Sequence, residues 1–91
     1  MFDLTGKKAL VTGATGGLGS QIAKSLAAQG AIVAISGTRE NVLTELSKEI
    51  PNSIVLTANL SEDGAAENLI ARAEEALGGL DILVANILME D

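Results

Sequence analysis

Short aliphatic runs alternate with longer amphipathic stretches along the whole chain, and nothing else in the sequence constrains the fold as strongly. Residues 9–11, 31–35, 54–58 and 80–85 are too short for buried helices and too apolar for loops, which predicts four buried strands. Between them, Leu18, Ile22, Ala23, Leu26 and Ala27 recur at helical spacing. So do Val42, Leu43, Leu46 and Ile50, and then Ala66, Leu69, Ile70, Ala73 and Leu77. Gly30, Pro51 and Gly78-Gly79 stop the three helical patterns. Thr38 and Ser61 stand where N-caps are expected, and Glu62 and Asp63 suit the positive end of the third helix. The order βαβαβαβ with short connections predicts a parallel sheet with right-handed crossovers. Strands that are apolar throughout predict helices on both faces, an α/β doubly wound sheet; in a Rossmann-type arrangement its strands take the order 3-2-1-4.

Composition removes several classes of function. The sequence has no His and no Cys, which excludes zinc fingers, iron–sulfur clusters, disulfides and Cys or His nucleophiles. Phe2 is the only aromatic residue, so base stacking on aromatic rings is not available. A net charge of −6 disfavours nucleic acid and anionic membrane surfaces as partners. The apolar runs are far shorter than a membrane span. The first eight residues lack the apolar core of a targeting segment, and an acidic, cysteine-free chain is expected in the cytoplasm.

The chemistry lies where the first strand becomes the first helix, at Thr12-Gly13-Ala14-Thr15-Gly16-Gly17-Leu18-Gly19. A tight strand-to-helix turn needs a glycine or two, whereas this one has four glycines in seven residues. Glycines serve a sharp turn, a close approach of backbone to a pyrophosphate and tight packing of helix on strand. The N–H groups and dipole at the helix start then hold the anion. This is a Rossmann-type arrangement for a dinucleotide, although residue 22 is Ile and the spacing is not the common G-x-G-x-x-G. It is not a P-loop, because no Gly-Lys-Ser/Thr follows. The second strand ends in Ser36-Gly37-Thr38-Arg39, with no acid to hold ribose hydroxyls. The fork of Arg39, with the Thr38 hydroxyl, suits a 2′-phosphate and so NADP(H) over NAD(H). The plainer reading makes Arg39 a solvated residue paired with Glu40 or Glu45. Glu62, Asp63, Glu67, Glu74 and Glu75 read as a solvated helix face, and no metal-ligand cluster is expected.

Thr12-Gly13, three residues, then Gly17-x-Gly19, preceded by Leu4-Thr5-Gly6-Lys7-Lys8-Ala9-Leu10-Val11, resembles the cofactor fingerprint of the short-chain dehydrogenase/reductase family. Within it, the chain is most like the bacterial 3-oxoacyl-[acyl-carrier-protein] reductases. The likeness runs to about Asn86, which is nearly all of this chain but about the first third of a typical family member. It implies NADPH-dependent reduction of the 3-oxo group of acyl-carrier-protein thioesters in fatty-acid synthesis, by a homotetramer. It implies that residues 13–19 surround the cofactor phosphates, and that Asn59 and Leu60 contact the adenine. Asn86 would stabilise the central sheet beside the cofactor. The sequence departs from the family pattern at three places: Asn59 stands where many relatives carry Asp, Gly16 where many carry Arg, and Ile87-Leu88 where Ala-Gly should follow Asn86.

The family's reaction needs a Ser, and a Tyr four residues before a Lys, and this sequence contains no Tyr. The expectation is therefore a cofactor-binding portion, residues 1–91, whose catalytic groups are not among its residues. The alternative is a nucleotide-binding module without catalysis, or a truncated product. An S-adenosylmethionine-dependent methyltransferase ranks lower, because it wants an acid at the end of the second strand. On its own, residues 80–85 would form an open edge strand, and self-association is expected.

Overall fold

Residues within each strand point alternately to two different cores, and the two cores fix where the helices lie. The computed structural model describes residues 3–85. Its elements are β1 (Lys8–Thr12), α1 (Gly17–Ala28), β2 (Ile32–Gly37), α2 (Glu40–Ser47), β3 (Ile54–Thr57), α3 (Ala65–Leu77) and β4 (Ile82–Ala85). The strands form one sheet in the order β3-β2-β1-β4, with every neighbouring pair parallel. Val11 lies level with Ile35 on one side and Val84 on the other. Ala9, Val11, Val33 and Ile35 face α1 and α2, meeting Ala23, Leu43 and Leu46. Leu10, Ala34 and Leu56 face α3, meeting Leu69, Ala73 and Leu77. The predicted doubly wound sheet and its strand order are thus present.

Boundaries differ in informative ways. Ser36 and Gly37 continue β2 rather than ending it, because they pair with Leu56 and Thr57 of β3. Gly30 ends α1 as expected: its N–H binds the Ala27 carbonyl and that of Ala31 binds Leu26, so two orphan carbonyls are satisfied. The second helix ends at Ser47, earlier than Pro51, although Ile50 is still buried under β2. Thr38 does not cap α2; the N-cap position is Arg39, without a side-chain cap. Ser61 does not cap α3 either. Its N–H and hydroxyl both go to the Asn59 side chain, and the helix starts only after Gly64, at φ +75°. Glu62 and Asp63 therefore lie before the helix, and Glu67 is the acid of its first turn.

Two residues of the predicted buried stripes face solvent. Leu18 is 63% exposed in the first turn of α1, on the side away from its buried neighbour Gly19. Ala66 is exposed as well, at the start of α3, where it borders an open groove with Thr12, Leu83 and Ala85.

Candidate functional site

All the predicted residues that lie within the described chain gather at the carboxyl ends of β1, β2 and β3. β1 ends at Thr12, whose hydroxyl donates to the Val84 carbonyl at 3.3 Å and ties the turn to β4. Gly13 follows at φ +66°, a left-handed conformation that side chains disfavour, so the chain can reverse sharply there. Ala14 is fully buried, and its N–H donates to the Ser36 carbonyl at 2.9 Å. Thr15 lies against the end of β2: a Cβ on Gly37 would come within 3.0 Å of its Cγ2. The absence of a side chain at Gly37 thus lets the glycine-rich turn sit flush beside Thr38 and Arg39.

Gly16 and Gly17 are exposed, while Gly19 is buried. A Cβ on Gly19 would collide with the Gly13 carbonyl group, so this glycine is what allows α1 to pack on its own turn. A Cβ on Gly17 would meet nothing within 4 Å. The space beside Gly17 is thus open. Among the described residues, the N–H groups of Gly17, Leu18 and Gly19 have no hydrogen-bond partner. Gly16, the N-cap, offers no side chain to them, and the first turn of α1 carries no acid. Donors, helix dipole and free space therefore converge on one place, which is the arrangement an anion requires.

The flanks are formed by β2 and β3. Arg39 is exposed, and among the described residues its guanidinium has neither ion pair nor hydrogen bond. The pairing with Glu40 or Glu45 does not form; Glu45 is taken by Lys48 at 3.1 Å. Thr38 is also exposed with no hydrogen bond from its hydroxyl among the described residues. Asn59 is exposed and uses its carbonyl oxygen to hold Ser61, at 3.1 Å to the N–H and 2.7 Å to the hydroxyl. Leu60 is half-buried and packs toward the α3 core. Asn86 lies outside the described residues. Sequence reading missed two contributors. Gly37 looked like a turn signal, and Arg72 was not singled out at all. Arg72 donates from Nη1 to the Thr57 carbonyl at 2.9 Å, two residues before Asn59. Its spacing of three from buried Leu69 was the available signal.

No group of three or more acids, His or Cys among the described residues could hold a metal ion. No helix among them is long and apolar enough to cross a membrane.

The family model for short chain dehydrogenases matches residues 7–90. The chain belongs to the short-chain dehydrogenase family. Nodulation protein G of Rhizobium sp. (strain N33) is 52% identical over 87 residues, covering 94% of this chain and 36% of that protein. The 3-oxoacyl-[acyl-carrier-protein] reductase FabG of Rickettsia conorii is 42% identical, covering 94% and 34% respectively. Among solved structures, an Agrobacterium tumefaciens C58 3-oxoacyl (acyl-carrier-protein) reductase with NADP bound superposes with a TM-score of 0.90 at 38% identity. That match covers 99% of this chain and 36% of the reductase. The chain thus spans about a third of the length of the short-chain dehydrogenases it matches.

Proposed function

We propose that this chain is the NADP(H)-binding part of an oxidoreductase that reduces the 3-oxo group of acyl-carrier-protein thioesters in fatty-acid synthesis. The observation that carries the proposal is the open cradle over Gly17, with unpartnered N–H groups at the start of α1. In this reading residues 13–19 hold the pyrophosphate, and Gly19 keeps α1 close enough to aim its N–H groups at it. Arg39 and Thr38 take the 2′-phosphate, which fits a guanidinium left free of protein carboxylates. Asn59 and Leu60 border the adenine, and Asn86 is assigned to the cofactor site by the family pattern alone. The bound dinucleotide supplies the hydride. The sequence has no Tyr, so the proton donor of the family's reaction is not among these 91 residues. The complete enzyme is proposed to be a cytoplasmic homotetramer.

Titration followed by NADPH fluorescence tests the site. The chain should bind NADPH, and Gly17→Val should abolish binding while leaving the fold intact, since the new side chain fills space that no protein atom occupies. Normal binding by Gly17→Val would mean that the phosphates lie elsewhere. The 91-residue chain should show no NADPH oxidation with a 3-oxoacyl thioester; substrate-dependent oxidation would place the proton donor within it.

A further inference from the structure

We propose that Arg72 is a positioning residue for the adenosine end of the cofactor site, an inference that rests on the dinucleotide reading above. Its guanidinium acts through the Thr57 carbonyl on the loop that presents Asn59 and Leu60. The N–H of Ala58 binds the Gly37 carbonyl at 3.0 Å, which turns the neighbouring Thr57 carbonyl away from β2, toward the open edge of the sheet. There it would meet only water, but Arg72 reaches it from α3 at 2.9 Å, a charge-assisted hydrogen bond in a half-buried setting. Glu62 and Asp63 line the same groove of about 450 Å3 as Arg72, yet neither pairs with it within 4.0 Å. The cation is committed to the strand end rather than to either of these carboxylates.

The loop between β3 and α3 is otherwise braced mostly against itself. Asn59 holds Ser61 through its side chain, the N–H of Glu62 binds the Asn59 carbonyl, and that of Ala65 binds Glu62. Those turns fix the loop's shape but not its place. Its place depends on the Ala58–Gly37 bond, on Leu60 against the α3 core, and on Arg72. Without Arg72 the loop keeps its turns and shifts as a unit, away from Thr38 and Arg39 at the end of the neighbouring strand. The adenosine end loses its wall, while the pyrophosphate cradle on α1 is untouched.

The test compares the unaltered chain with Arg72→Met, which keeps an apolar stem, and Arg72→Lys, which keeps a cation that can reach a carbonyl. Each is titrated with NADPH, with 2′,5′-ADP and with inorganic pyrophosphate, and melted by circular dichroism. Arg72→Met should weaken NADPH and 2′,5′-ADP about tenfold and leave pyrophosphate unchanged, and Arg72→Lys should recover most of the loss. Equal weakening of pyrophosphate would mean general loosening and would overturn the proposal, as would unchanged 2′,5′-ADP binding by Arg72→Met. If Arg72→Met does not fold, folded Arg72→Lys must still bind 2′,5′-ADP within about twofold of the unaltered chain, and a larger loss overturns the proposal. Failure of the unaltered chain to bind NADPH or 2′,5′-ADP would instead sink the dinucleotide reading itself.

Discussion

Replacing Arg39 with Ala separates a phosphate-binding role from a solvated surface role. The side chain is exposed, makes no cap to α2 and has no partner among the described residues. Its loss should therefore change stability by no more than about 0.5 kcal/mol. Hydrogen bonds to charged groups contribute about 1.5–3 kcal/mol, and solvent screening at an exposed site argues for the lower end. About 1.5 kcal/mol corresponds to roughly a tenfold loss of affinity. That loss should fall on NADPH alone, because NADH has no 2′-phosphate for the guanidinium to hold. Parallel fluorescence titrations with the two reduced cofactors measure it directly. The starting chain should prefer NADPH, and Arg39→Ala should bring the two affinities close together without moving the thermal midpoint. A starting chain that binds both equally, or a variant that loses affinity for both alike, would refute the reasoning.

Two further substitutions test the packing. Leu69 is 1% exposed in the α3 core, and Leu69→Ala should cost about 2–5 kcal/mol in a thermal or urea melt; Leu18→Ala, at a position 63% exposed, should cost no more than about 0.5 kcal/mol. Similar costs at the two sites would contradict the observed placement of α1. Leu83 is 48% exposed on β4, and the Asp81 carboxylate is turned onto the Lys8 N–H, so it does not guard that edge. The 91-residue chain should self-associate in sedimentation, and Leu83→Lys should shift it toward monomer; a monomer before substitution would remove the edge from the account.

Periodicity made the succession of elements and the two-sided core legible, because buried parallel strands and amphipathic helices leave distinct patterns of aliphatic residues, while the strand order followed from the Rossmann-type arrangement. The glycine-rich turn was legible for a similar reason: Gly13 and Gly19 meet local steric demands that only glycine satisfies. What periodicity cannot carry is the choice between competing local partners. Ser61 is a good N-cap in isolation, but Asn59 is two residues away and captures it. Ser36-Gly37 reads as a turn until β3 is placed beside it and extends the ladder. The Leu18 position belongs to the helical stripe by spacing, yet it is 63% exposed while Gly19 of the same turn is the residue that packs inward. Arg72 on Thr57, and Lys24 of α1 on Glu49 just past the end of α2 at 2.6 Å, join residues far apart in sequence. Such contacts follow from the assembled fold and leave little trace in any short window.

Hydrogen–deuterium exchange with and without saturating NADPH tests the central claim most directly, because it reads the backbone N–H groups on which the claim rests. Peptides covering residues 13–21 should gain strong protection as the N–H groups of Gly17, Leu18 and Gly19 take up the pyrophosphate, with lesser protection around residues 37–40. No change in the glycine-rich turn, or protection confined to the groove between β3 and α3, would contradict the account.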